Sequence, residues 1–375
     1  MRRHDLDWLR VLVFGLLIFY HVGMLFVPWE FHIKNNVIYD WLTYPMLFVN
    51  QWRLPILFVI SGMGTYYAIQ KRTRTQFTLE RIKRLGLPLL FGMLFIISPQ
   101  VYFERLNKHQ FIGNYFDFWP NQLFTAPYPE GNFSWHHLWF LPYLLVFSII
   151  LVPIFFYLKN HPNNKFIFLI KKITAKPIGL YVFAIPLYFI ETLIEPHFPV
   201  THALIDDWFT FINCIILFSF GFILISIKDT FWSAVEIYRK YFLIAGVLSF
   251  SIMLFITQQY EDSFIRHYIE ALFKVLNLWS WILTLFGFSA TYLNKKSKVL
   301  SYTNEAVYPF YILHQTIMIG IAYYLIELDW SLATKSSILI LGTFGLSWLA
   351  YESLIRPWKY IRPLFGLKKK HKIKH

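Results

Sequence analysis

The stretch WLRVLVFGLLIFYHVGMLFVPW, residues 8–29, decides the fold. It is long and apolar enough to cross the roughly 30 Å hydrocarbon core of a bilayer as one helix. Yet it carries Arg10 and His21, and an ionisable pair inside lipid is costly enough to need a partner or a purpose. At about 100° per residue, their spacing makes about three turns plus 20°, so both side chains share one face, roughly 16 Å apart along the axis. Two readings are open. Either Arg10 snorkels to a headgroup while His21 bonds a neighbouring carbonyl, or the two line a functional site.

Hydrophobic residues make up 57% of the chain and charged residues 15%, more apolar surface than one soluble core of this length needs. Apolar windows of about 20 residues fall at 8–29, 43–70, 85–104, 137–158, 177–195, 207–227, 241–258, 268–293, 304–326 and 336–355. The expected fold is all-α, a polytopic membrane protein of about ten transmembrane helices. The fifth window is interrupted by Pro177, Pro186 and Pro196, which neighbouring helices can accommodate. With the N-terminus inside, 27 of the 35 Lys and Arg fall on cytoplasmic segments and 5 on external loops. Arg10, Arg53 and Lys274 lie within spans. That asymmetry predicts both termini cytoplasmic.

The net charge of +14 then reflects topology and attraction to anionic lipid of the inner leaflet. No nucleic-acid partner is expected, even for the tail Lys368-Lys369-Lys370-His371-Lys372. A membrane-embedded domain over 1–360 and a basic cytoplasmic tail over 361–375 are expected, in a multi-pass membrane protein. The single cysteine, Cys214, reads as a small core residue and rules out an internal disulfide framework or a cysteine-built metal site. No metal site and no permanently bound cofactor are expected, and nothing in the sequence specifies an oligomeric state. The first span, too long for a signal-peptide core, reads as a retained helix. The loop over about 105–136, with Pro120, Pro127, Pro129 and Gly131, is a candidate lid or binding surface.

Depth places further polar groups beside His21. Arg53 falls roughly 15 Å below the outer surface and His21 roughly 12 Å, at 1.5 Å per residue. His314 falls near the bilayer middle. Ser61-Gly62 follow in the second span, where small residues permit close helix approach.

These residues carry a family resemblance. Arg10 and His21, the run Gln51-Trp52-Arg53-Leu54-Pro55 leading to Ser61-Gly62, the basic stretch Arg81 to Arg84, His137-Leu138-Trp139-Phe140-Leu141, and Asn304 through Tyr308-Pro309 to Tyr311-Ile312-Leu313-His314-Gln315 occur in that order. In this the chain resembles the acyltransferase-3 family of integral-membrane O-acyltransferases, most of all the branch associated with succinylation of periplasmic glucans. The similarity runs from residue 5 to about 320, with no matched motif over 160–300.

The resemblance implies transfer of an acyl group, acetyl or succinyl, from cytoplasmic acyl-CoA to a hydroxyl of an extracytoplasmic glycan. Acyl-CoA, the glycan acceptor and the bilayer are then the partners. Arg10, Arg81, Lys83 and Arg84 suit the polyanionic coenzyme A head. His21 suits a general base, because imidazole titrates near neutrality. Arg53 suits a thioester oxyanion or an acidic acyl chain. His314 is a further catalytic candidate, with a structural hydrogen bond as the alternative. His136, His137 and Trp139 are candidates for acceptor contact or for an aromatic belt. Asn304, Tyr308 and Ser61 are acceptor or structural candidates, Asn304 as a helix cap. Glu104 and Glu270 read as span-end residues, and Lys274 and Asn277 as lining an external vestibule. The rival function is a polysaccharide exporter or flippase, whose buried charges line a path for substrate.

Overall fold

The computed structural model describes residues 3–369, and among them there is no β-strand, only an isolated bridge between Pro127 and Phe133. The principal helices are α1 (His4–Met24), α2 (Thr43–Ile69), α3 (Arg74–Asn107), α4 (His136–Ile150), α5 (Val152–Asn160), α6 (Ile178–His197), α7 (Trp208–Ser226), α8 (Lys228–Gln259), α9 (Phe264–Tyr292), α10 (Lys298–Leu325) and α11 (Leu332–Ile355). Among the described residues, eight helical segments are long and apolar enough to cross a membrane. A ninth is formed if α4 and α5, bent by 53° at their junction, count as one span. The protein is thus an all-α, multi-pass integral membrane protein. Helix α10 takes the ninth expected place; its 28 residues reach about 42 Å, but polar residues such as Asn304, His314 and Gln315 interrupt its apolar character.

Two compact units divide the chain. The first comprises Met1–Val13, Phe48–Leu79 and Tyr143–Leu300, and the second Phe14–Leu47, Glu80–Pro142 and Ser301–His375. In the first unit, α2 and α7 cross with their backbones in contact. A Cβ built on Gly62 would lie 1.9 Å from the Phe218 carbonyl oxygen, and one on Gly221 would lie 1.9 Å from that of Val59. Only glycine lets the two helices approach this closely, the close packing expected of Ser61-Gly62. Lys274 of α9 forms an ion pair with Glu191 of α6, and Asn277 donates to Gln51 Oε1 at 2.5 Å. These two residues, expected to line a vestibule, instead tie α9 to α6 and α2. Cys214 is buried in α7, as expected of a core residue.

In the second unit, Val22, Leu25, Phe26 and Ile33 pack against Met318, Ile319 and Ala322 of α10, Ile326 just after it, and Leu339 of α11. The segment after α1 is held by two lysines. Lys34 donates to the carbonyls of Met24, Val27 and Trp29. Lys335, only 2% exposed, donates to Asn35 Oδ1, Asn36 Oδ1 and the Ile326 carbonyl. Arg105 organises the expected lid: its guanidinium donates to Gln110, Asn132 and the carbonyls of Pro129 and Gly131. Five donors in a planar fork make arginine the side chain suited to collecting such acceptors.

Helix α10 starts at Lys298, where Ser297 Oγ accepts the Val299 N–H. Asn304 therefore sits well inside the helix, not at its cap as expected; the polar run 301–305 continues the helix because its side chains find partners there. Glu305, for example, pairs with Arg362 at 2.9 Å. Of the expected basic tail, Arg362–Phe365 forms a short 3-10 helix, while Lys370, His371 and Lys372 lie outside the described residues.

The α2–α7 crossing makes a direct prediction. Gly221→Val forces bulk against the Val59 carbonyl and should cost about 1–3 kcal/mol or more, read as a lowered Tm and loss of monodisperse protein in detergent. Gly64→Ala, on the same α2 but with no atom within 4 Å of the added carbon, should behave as the parent. Equal tolerance of both substitutions would refute the crossing.

Candidate active site

Two histidines far apart in sequence meet in the second unit. His21 Nδ1 lies 2.8 Å from His314 Nε2, with the rings nearly coplanar at 4° and their centroids 5.0 Å apart. Position comes from the helices: His21 is in the last turn of α1, and His314, with no exposed surface, is in the middle of α10. The tautomers follow from the partners. His314 Nδ1 faces the carbonyls of Tyr311 at 2.8 Å and Phe310 at 3.2 Å, which only accept, so this nitrogen carries a proton. In neutral His314 the lone pair is then on Nε2, and His21 Nδ1 must be the donor. The lone pair of neutral His21 is consequently on Nε2, an assignment made from the hydrogen-bond network. An imidazole held in one tautomer, with its basic nitrogen directed away from its anchor, is the arrangement a general base requires.

His137 joins the two histidines from the start of α4. Its Nε2 donates to the Ile312 carbonyl at 3.0 Å, its own carbonyl accepts from the Tyr311 hydroxyl at 2.7 Å, and its ring meets that of His314 edge-on at 5.1 Å. It is 7% exposed. Expected to contact the acceptor or to join an aromatic belt, this side chain instead ties the start of α4 to α10. Trp139 is likewise buried, at 9%, within the protein.

The basic stretch lies in the same unit. Arg81 ends the first part of α3, and Lys83 and Arg84 fall in a π-helical turn over Ile82–Gly86, both exposed. Pro88 has no N–H to give the Arg84 carbonyl four residues earlier. The Tyr308 hydroxyl of α10 donates to that carbonyl at 3.3 Å instead. Tyr308 in turn packs so closely on Gly366 that a Cβ there would lie 1.8 Å from its ring, and Gly366 has φ +70, a conformation suited to glycine.

Arg10, Arg53 and Ser61 belong to the first unit. Arg10 pairs with Asp7 at 3.3 Å, one turn away on α1. Arg53 is 6% exposed and donates to Asn50 Oδ1 at 3.1 Å. Near Arg53 in charge terms is His202, in the loop before α7, whose backbone N–H donates to Asp207 at 2.9 Å. Asp207 also accepts from the Tyr143 hydroxyl. Burial, opposed by Asp207 and reinforced by Arg53, lowers the His202 imidazole to about 4.

A second polar cluster was missed from the sequence. His32, Glu104 and His136 converge in the second unit, with His32 Nδ1 2.7 Å from Glu104 Oε2. Glu104 has no exposed surface, and its other oxygen accepts from Lys108 at 2.7 Å and Tyr128 at 3.0 Å. The signal was topological: the three residues follow α1, end α3 and begin α4.

The His202 surroundings set a pH dependence. Between about 4 and 6.5 the unfolded chain binds a proton that the folded imidazole does not, so this group's contribution to stability is complete above about 6.5 and declines as pH falls toward 4. His202 has φ +57, a conformation asparagine tolerates. His202→Asn should therefore narrow the drop in Tm between pH 7 and pH 4.5, measured by intrinsic fluorescence. An unchanged drop would contradict the assignment.

Comparisons with known proteins give the family of the chain. Residues 3–352 match the family model described as an acyltransferase domain, that of the acyltransferase-3 family. Among curated proteins, the chain is 28% identical over 166 residues to the glucans biosynthesis protein C of Escherichia coli (strain SMS-3-5 / SECEC), covering 44% of this chain and 41% of the relative. It is 27% identical, over the same shares, to the protein of that name from E. coli (strain K12). The matched region is thus about two fifths of the length of these relatives. No solved structure shows significant similarity. With a family model covering nearly its whole length, this chain belongs to the acyltransferase-3 family and is an integral-membrane acyltransferase-domain protein.

Proposed function

We propose that this protein transfers an acyl group, acetyl or succinyl, from acyl-CoA at the cytoplasmic face of a bacterial-type inner membrane to a hydroxyl of a glycan on the opposite face. Both termini are cytoplasmic in this reading. The observation that carries it is the His21–His314 hydrogen bond, which leaves the basic lone pair on His21 Nε2. Family membership supports the reaction class, and the glucan-biosynthesis names of the relatives support a glucan acceptor.

In the step proposed, the acceptor hydroxyl oxygen attacks the thioester carbonyl as its proton passes to His21 Nε2. The tetrahedral intermediate collapses, the C–S bond breaks, and the imidazolium returns the proton to the departing thiolate. The products are a glycan ester and free coenzyme A. His314 positions His21 and stabilises the imidazolium by accepting from its Nδ1–H. Arg53 serves the thioester oxyanion or the carboxylate of a succinyl chain. Arg10, Arg81, Lys83 and Arg84 serve the coenzyme A phosphates, where arginine forks match phosphate oxygens in pairs.

The test uses proteoliposomes sorted to one orientation, with a glucan confined to the lumen and labelled acyl-CoA added outside. The parent should label the glucan from the cytoplasmic face alone. His21→Ala should lose on the order of 10² to 10⁴ in rate while staying monodisperse. Arg10→Ala should raise the KM for acyl-CoA more than it lowers kcat. His21→Ala activity within about threefold of the parent would remove the base from the mechanism. Labelling only when both substrates share one side would overturn the through-membrane route.

A further inference from the structure

The His32–Glu104–His136 cluster takes no part in the step proposed above, and three features mark it as more than a buried ion pair. The first is the ligand set. One nitrogen of each imidazole and one carboxylate oxygen lie within 4.8 Å of one another. Bound to zinc at 2.0–2.2 Å in a tetrahedron, such atoms would be about 3.3–3.6 Å apart. Reaching that spacing takes shifts of about an ångström, including a small opening of the 2.7 Å contact between His32 and Glu104.

The second feature is an unmet polar atom. His136 Nε2 is buried and has no hydrogen-bond partner, although its ring is 4.5 Å from that of His32 at 87° and 4.7 Å from that of Tyr128. A buried imidazole nitrogen without a partner costs about 1–3 kcal/mol unless something else satisfies it. The backbone adds to this: His136 has φ +35, in the left-handed region that side chains other than glycine seldom adopt. Strain concentrated at one residue is tolerated where the side chain must be aimed.

The third feature is the rigidity of the surroundings. His32 lies in the segment that Lys34 and Lys335 fasten, and Glu104 adjoins Arg105, whose fork gathers the loop over 110–132. Tyr128 donates to the carboxylate oxygen that does not face His32, the kind of outer contact that orients a metal-binding carboxylate. Lys108 contacts the same oxygen and opposes a cation, but its side chain is 40% exposed and free to swing into solvent.

We propose that His32, Glu104 and His136 form a three-ligand site for a divalent transition-metal ion of the zinc class. Two imidazoles and one carboxylate suit Zn²⁺ and its first-row neighbours far better than Mg²⁺ or Ca²⁺, which take oxygen ligands. Three protein ligands also leave a fourth position, open to water or to a hydroxyl of a polar ligand. This departs from the expectation, drawn from the sequence, that no metal site is present.

The test is metal content and affinity in the full-length protein in detergent. Parent, His21→Gln, His136→Gln, Glu104→Gln and Lys108→Gln would each be stripped, equilibrated with Zn²⁺, freed of excess and measured by mass spectrometry, with zinc-dependent Tm as a second readout. The parent and His21→Gln should retain about one zinc per chain. His136→Gln and Glu104→Gln should bind at least about tenfold more weakly, and Lys108→Gln, relieved of a competing cation, more tightly than the parent. Mg²⁺ should neither be retained nor raise the Tm. If a ligand variant fails to fold, the parent and Lys108→Gln still decide. Absence of retained zinc in the parent, or equal retention in all variants through surface histidines, would overturn the proposal.

Discussion

The hydrogen bond between His21 and His314 is the constraint on which the functional reading depends. Each histidine is an expensive group to place in an apolar helix, and each makes the other tolerable. The bond needs more than proximity. His314 has to be held by the carbonyls of Tyr311 and Phe310, and α1 has to meet α10 at one height, which the packing of Val22, Leu25 and Phe26 against Met318, Ile319 and Ala322 provides. Apolar packing sets the register of the two helices, register sets the contact, and the contact sets the tautomer. In the proposed function, the base is thereby defined by the helices around it.

Much of the fold was legible because a bilayer imposes length and composition on anything that crosses it. Nine of the windows read from the sequence coincide with helices that are apolar enough to span, the bent α4–α5 pair among them, and the remaining window lies in α10. The polar residues of α10 made its window the least apolar, and one of them, His314, is its share of the candidate site. Gly62 was legible as a packing residue because a small side chain in a span has few other uses. Its partner Gly221 was not, since identifying it requires knowing which helix lies opposite.

The candidate site was legible at the level of residues and not of pairing. His21 and His314 were both singled out, yet their separation of 293 positions gives no local signal that one bonds the other. His137 was read as an acceptor or aromatic-belt candidate because it begins a span, whereas its hydrogen bonds turn it toward α10. Asn304 was read as a cap because the apolar window begins there, whereas the helix begins earlier with polar residues. The His32–Glu104–His136 cluster escaped because its members sit at span ends, where polar residues are ordinary. In each case the missing information was a long-range contact.

The central claim is that His314 acts through His21, and a double-mutant cycle on kcat measures that coupling most directly. The four proteins are the parent, His21→Ala, His314→Gln and the double variant, each at saturating acyl-CoA and glucan. Residues acting as one unit give strongly non-additive losses. The account predicts that His314→Gln alone slows transfer, and that the double variant is no slower than His21→Ala within about threefold. Losses that multiply, with the double variant slower by the product of the two single effects, would show that the histidines act independently and would contradict the account.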